Sequence, residues 1–203
     1  AGVVNVSEQM HGLQMSGVLN RAHHVHGVQV GLVNLADSSS GVSIGLFNYV
    51  KTGYHKLEIS TDELQFANVS FGTGTEKLYT IFTAGINYAK PSIIMYGCGM
   101  GTGFTIKNRL GFSATVMAQQ MRHTKDGLLR SNAMGRVYIG LEYKLHPKFR
   151  IGLGPTFTIY NPKTIDNYHS DLLTDIPSYR LGESTTANDL RMWVGGKLSL
   201  KFF

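Results

Sequence analysis

The strongest constraint on this chain is a two-residue period that runs far longer than most strands. From Arg136 to His146 the even positions are Arg136, Tyr138, Gly140, Glu142, Lys144 and His146, and the odd ones are Val137, Ile139, Leu141, Tyr143 and Leu145. Successive side chains of a strand point to opposite faces, so this segment has one polar and one apolar face. The next segment sets Phe149, Ile151, Leu153, Phe157 and Ile159 against Arg150, Gly152, Thr156, Thr158 and Tyr160, with Pro155 as its one irregularity. Val194, Leu198, Leu200 and Phe202 oppose Trp193, Gly195, Lys197, Ser199 and Lys201 in the same way. Related runs cover 94–107 and 110–119, and a weaker one covers 78–88. These runs reach about ten residues or more, whereas strands in globular proteins average about 5 to 6.

The first quarter carries a different period. Units beginning at Gly12, Gly27 and Gly41 share a pattern of the type GxQxxGxxN, offset by 15 and then 14 residues, with polar links at Arg21 to His26 and Asp37 to Ser40. Each unit reads as one strand and one turn. Strand starts fall near residues 2, 11, 27, 41, 53, 63, 76, 93, 109, 133, 149 and 191, about twelve in all (a range of 10 to 14). The links at 107–110 and 145–148 are short, 122–132 is longer, and 161–190 is the longest. Short turns on one side and long loops on the other are the asymmetry of transmembrane barrels.

Alternation alone suits a soluble sandwich as well, with the apolar face inside. Three features favour the inverted arrangement. A tilted strand needs about 9 to 11 residues to cross a bilayer. Aromatic residues gather near the ends of the apolar face, at Tyr88, Phe104, Phe112, Tyr143, Phe149 and Phe202, as a membrane girdle would place them. The alternate glycines from Gly97 to Gly103 suit a barrel wall and weaken an isolated exposed sheet. Charged residues make up only 16% of the chain, against roughly 25% in soluble proteins, which sets disorder aside. No apolar run reaches the ~18 residues of a membrane helix. The single Cys98 offers neither a disulfide nor a zinc or redox spacing. The net charge of +6 is not clustered on one helix or interleaved with stacking aromatics, so nucleic acid is not an expected partner. The expected architecture is all-β: one closed antiparallel transmembrane barrel spanning 1–203, with both termini periplasmic, the 161–190 loop external, and membrane lipid and other envelope proteins as its partners; the repeat strands of 1–50 suit either the barrel wall or a separate β layer. Any export signal is taken to have been removed before residue 1.

The units at Gly12 and Gly27, the degenerate copy at Gly41, and Lys51-Thr52-Gly53-Tyr54-His55 resemble the short surface repeats of bacterial surface-exposed and outer-membrane proteins. Leu198-Ser199-Leu200-Lys201-Phe202-Phe203 resembles the C-terminal signature by which outer-membrane barrels are handed to their assembly machinery, with Phe202 carrying the apolar parity and Phe203 the other. These resemblances imply bacterial outer-membrane location and barrel architecture, and no chemistry.

Function is read from the polar faces. Arg136, Glu142, Lys144, Arg150, Lys197 and Lys201 are the candidate lumen-lining residues, because Lys or Arg facing lipid costs about 2 to 4 kcal/mol at the bilayer midplane. Five basic residues to one acidic suit an anion-preferring narrow pore; paired charges would instead brace a closed interior in a structural component of an envelope complex. Gly97 to Gly103 lacks the following helix of a nucleotide loop. A lipid-modifying hydrolase is the contrasting reading, through His55 with Glu58 or Ser60, or His169 with Ser170 and Asp171; no GxSxG elbow is present, and no catalytic or cofactor-binding residue is assigned. His23, His24 and His26 are a metal candidate beside the plainer reading of a solvated turn. Asp166, Asp171 and Asp175 match no calcium-loop spacing. The 161–190 loop also suits recognition or adhesion.

Overall fold

A computed structural model describes residues 2–87, 93–123, 132–160, 179–180 and 191–202. Eight strands close into an antiparallel barrel: β5 (Tyr54–Asp62), β6 (Ala67–Gly74), β7 (Tyr79–Ile86), β8 (Ile93–Lys107), β9 (Leu110–His123), β10 (Asn132–His146), β11 (Phe149–Tyr160) and β13 (Arg191–Phe202). Each pairs with its neighbour in sequence. Closure comes from β13, which pairs with β11 from Phe149↔Phe202 to Tyr160↔Arg191 and with β5 from Lys197↔Asp62 to Phe202↔Leu57. A two-residue strand, β12 (Tyr179–Arg180), adds to the start of β13. The turns 75–78, 108–109 and 147–148 and the end of β13 share one rim. The strand ends that flank 63–66, 87–92, 124–131 and 161–190 lie at the other, the long-link rim. The expected long loop, with its Asp166, Asp171, Asp175 and His169 candidates, otherwise lies outside the described residues, as do Tyr88 and Phe203.

The expected strand starts near 53, 63, 76, 93, 109, 133, 149 and 191 correspond to these eight barrel strands. The count of about twelve barrel strands is corrected to eight, because the first four starts belong to a separate sheet. β1 (Gly2–Val30), β2 (Val33–Ser39), β3 (Val42–Ile44) and β4 (Phe47–Val50) form a four-stranded parallel sheet in the order β3-β1-β2-β4. Its register repeats the sequence offset: Asn20 lies beside Asn34, and Asn34 beside Asn48.

The repeat residues explain this stacking. Asn5, Asn20, Asn34 and Asn48 form a ladder in which each amide donates to the carbonyl oxygen of the next, at 3.1, 2.8 and 2.7 Å. Gln29 donates to Gln14 at 2.9 Å and accepts from Ser43 at 3.2 Å, making a second ladder. Such ladders need identical or similar polar residues in register, which a repeat supplies. Glycine is required where successive turns touch: a Cβ at Gly27 would lie 2.0 Å from the Gly12 oxygen, and one at Gly41 1.9 Å from that of Gly27. The Gly27 and Gly41 units are one residue shorter than the Gly12 unit, which has Ser16 as its extra residue. The sheet's own core is small, made of Met10, Ala22, Val25, Ala36 and Val50.

Candidate functional site

The barrel interior is filled in layers. At the long-link rim, Met95, Met121, Met134, Tyr160 and Trp193 turn inward and pack with Leu64 from the 63–66 turn. Arg136 lies beneath them. Its guanidinium donates to Asp62 at 2.8 Å, Glu63 at 2.9 Å and Thr158 at 3.2 Å. Glu63 is held in turn by the Thr156 hydroxyl at 3.0 Å and the Trp193 indole N–H at 3.3 Å. Asp62 serves two groups at once: one oxygen takes Arg136, and the other accepts the backbone N–H groups of Leu64 and Gln65 at 2.9 and 2.8 Å, which folds the turn inward. Gly195 gives the Glu63 carboxylate its space, since a Cβ there would lie 2.1 Å from it.

A second charged layer follows. Lys197 pairs with Glu58, and its ammonium lies 4.9 Å from the Tyr138 ring centroid. Lys201 bridges Glu142 at 2.5 Å and Glu58 at 3.3 Å. Toward the short-turn rim, Tyr54 and Tyr79 stack with centroids 4.3 Å apart, beside Ile81 and Met117. Gly101 makes room for the Tyr79 ring, 2.4 Å from where a Cβ would stand. Elsewhere in the run a Cβ would meet the β9 backbone, 2.1 Å from the Ala118 oxygen at Gly97 and from the Val116 oxygen at Gly99. Arg150 closes this rim, 3.5 Å from both Glu142 and Glu76.

Arg136, Glu142, Lys197 and Lys201 are thus buried in the interior, while Lys144 and Arg150 are half-buried at the short-turn rim. A cavity of about 60 Å³ lies among Glu142, Lys144, Arg150 and Arg109, space for a few water molecules at most. The excess of basic residues expected from sequence is largely offset by Glu58, Asp62, Glu63 and Glu76. Glu58 and Asp62 were legible, because Tyr54, Lys56, Glu58, Ser60 and Asp62 alternate with His55, Leu57, Ile59 and Thr61. Glu63 carried no periodic signal, being on a turn that folds inward.

The His55 pair is not assembled. His55 has the opposite parity from Glu58 and Ser60 and points outward, where its Nε2 donates to the Val50 carbonyl at 2.7 Å. Nδ1 of the neutral ring then accepts from the Thr73 hydroxyl at 3.3 Å. Tyr49 packs on the ring, with centroids 4.9 Å apart. His55 therefore belongs to the seam between sheet and barrel. There Asn48 ends its ladder on the hydroxyl of Thr80 at 2.8 Å, and Phe47 meets Phe82 on the outer wall at 6.2 Å. His23, His24 and His26 are separated along a polar edge, pairing with Asp37, Ser38 and Ser40 at 2.5, 2.7 and 2.9 Å. Among the described residues, no three His, Cys, Asp or Glu side chains gather as a metal site.

The outer wall is apolar: Val194 is 67% exposed, Leu153 64% and Val116 62%, with Ile139, Leu141 and Leu198 also exposed. An aromatic band rings the short-turn rim, where Phe104 pairs with Phe112, Phe149 with Phe202, and Tyr143 is exposed.

No protein-family model and no curated protein sequence matches the chain. Among solved structures, the chain is similar in fold to Neisserial surface protein A at 13% identity, covering 73% of this chain and 92% of that one with a TM-score of 0.41. The N-terminal β-barrel domain of Pseudomonas aeruginosa OprF matches at 15% identity, covering 73% and 96% with a TM-score of 0.43. A de novo designed transmembrane β-barrel matches at 11% identity, covering 73% and 91% with a TM-score of 0.38. At these levels nothing about location or activity carries over.

Proposed function

We propose that this protein is a bacterial outer-membrane β-barrel with a closed interior, acting as a structural anchor that holds the repeat sheet at the membrane. One observation carries this reading: the polarity is inverted. Val194, Leu153 and Val116 are exposed while Arg136, Lys197, Lys201 and Glu142 are buried. In water that arrangement exposes a continuous apolar belt, and in a bilayer it is the stable one. Backbone groups at membrane depth must be paired within the protein, and the closed ladder from β5 to β13 leaves no open edge. The interior charges favour bracing over conduction. Each of the four buried ones meets an opposite charge, and the apolar cluster around Trp193 lies across the long-link end of the lumen.

The test is reconstitution. The protein should extract only with detergent, insert into liposomes and show the heat-dependent gel shift of a folded barrel. In planar bilayers it should give no stable conductance. A monodisperse, detergent-free species would overturn the membrane reading, and steady channels reduced by Arg136→Ala or Arg150→Ala would replace the anchor with an anion-preferring pore.

A further inference from the structure

The repeat sheet has two unlike surfaces. Its register aligns Leu19, Val33 and Phe47 in one outward column. The neighbouring column at the repeat offset is Val18, Leu32 and Leu46, of which Leu32 is 54% and Leu46 58% exposed. Neither column contains a charge. Farther along the same strands, past the column of Arg21, Leu35 and Tyr49, His23 pairs with Asp37, His24 with Ser38 and His26 with Ser40. Cores do not account for the apolar columns, because the sheet's buried cluster is built from other residues.

Two contacts fix how this two-sided module sits on the barrel. Lys77, in the short turn between β6 and β7, donates to the Ser40 carbonyl at 2.9 Å, so the polar edge lies at the tip of the wall. Phe47, in the apolar column, meets Phe82, which is on the outer face of β7 beyond that tip and toward mid-barrel. The barrel wall is also shorter here. β7 starts at Tyr79 opposite Gly101, while β8 continues to Lys107; the β7 residues the module touches, Thr80 and Phe82, pair with Met100 and Cys98, whose β9 partners are Val116 and Ala118.

From this we infer that the repeat sheet is a lateral extension of the barrel's lipid belt: its apolar columns lie in the bilayer leaflet at the short-turn rim, and its histidine–serine edge faces water. The occupant of the face is lipid, because Phe47, at the barrel end of one column, meets the apolar outer wall at Phe82. The inference rests on the membrane reading above. A second copy of the chain is the competing occupant.

The test places single cysteines at Leu32, Leu46, Ser38 and, in the barrel belt, Leu141, in a Cys98→Ser background. Each is spin-labelled and reconstituted in phosphatidylcholine–phosphatidylglycerol liposomes. Labels at Leu32, Leu46 and Leu141 should relax faster with oxygen than with a water-soluble nickel chelate, and the label at Ser38 should do the reverse. Nickel access at Leu32 and Leu46 with oxygen access at Leu141 overturns the inference and leaves the barrel intact; nickel access at all of them overturns both. Shielding of Leu32 and Leu46 from both relaxants, with spin–spin broadening, overturns it in favour of a second copy. Leu32→Trp in a Trp193→Phe background keeps the site apolar and gives a second readout. Brominated phosphatidylcholine should quench its emission by about twofold or more, as for a side chain at the acyl boundary; no quenching overturns the inference.

Discussion

The barrel and the repeat sheet are both built from alternating strands, yet they solve burial in opposite ways. In the barrel the partner of a residue is set by antiparallel register, so Lys201 meets Glu142 across 59 residues of sequence, and each contact is individual. In the sheet the partner is the equivalent residue one repeat away, so Asn34 meets Asn20 and Asn48, and one residue type serves a whole column. The barrel hides charges and exposes apolar side chains; the sheet hides amides and small apolar groups and divides its outside in two. Long-range pairing makes the barrel's interior sensitive to single changes. Stacking makes the sheet's sensitivity local, since each rung contacts only its neighbours.

The largest expected effect tests the first half of that contrast. Arg136→Ala leaves Asp62 and Glu63 buried without their cation, and loss of one partner of a buried pair costs about 3 to 5 kcal/mol. Urea unfolding in micelles should show that loss in the whole barrel, together with release of the 63–66 turn to proteases. A midpoint unchanged within error would mean the interior is wet and the charges are not braced.

The outer wall comes next. Leu141→Lys places an ammonium in the belt and should lower stability in liposomes by about 2 to 4 kcal/mol if the site is near the midplane. Glu142→Gln, one residue along, points inward and removes a partner of Lys201 and Arg150. Its loss should be equally present in micelles and liposomes. Equal sensitivity of the two variants to the choice of lipid would contradict the face assignment.

Much of this was legible because a two-residue period gives the faces of a strand without any knowledge of its neighbours. Val137 to Leu145 and Phe149 to Ile159 identify their outer faces on sight, and the short links at 107–110 and 145–148 give the shared rim. Parity alone also separates His55 from Glu58 and Ser60. Pairing is another matter. Nothing local in Gly12 to Asn48 distinguishes a strand that joins its neighbour antiparallel from one that stacks parallel on its own repeat, so alternation alone adds four rungs to the barrel count. The 15- and 14-residue offsets held the signal, since equal spacing of Asn20, Asn34 and Asn48 is what a ladder requires and what a barrel does not. Glu63 was unreadable for a different reason: its position follows from the Asp62 turn, which curls it over Gly195.

A smaller effect should follow in the sheet. Asn34→Ala breaks the ladder in its middle, leaving the Asn20 amide without its ladder acceptor, the Asn48 oxygen without its donor, and the Ile44 and Gly31 carbonyls without the amide that now reaches them at 3.0 and 3.2 Å. A buried polar group left unpaired costs about 1 to 3 kcal/mol. Hydrogen exchange should accelerate across 19–50 while β8 to β11 stay protected. Loss of protection in the barrel would show that the two regions unfold as one unit.

The smallest effect concerns the polar edge. The hydrogen bond from His23 holds the Asp37 carboxyl below its ordinary value of 3.8, helped by the charges of Lys51 and Arg21. A carboxylate with a depressed folded-state pKa adds stability that is fully present above 3.8 and is lost as pH falls through the lowered value. Both side chains are about half exposed, and salt should weaken the pair further. Exchange rates at 22–39, followed from neutral pH to about pH 3, should therefore rise at the acid end in the parent chain and less so in Asp37→Asn. An identical acid profile in Asp37→Asn would mean the histidine edge is held by the Asn and Gln ladders beneath it rather than by its own charges.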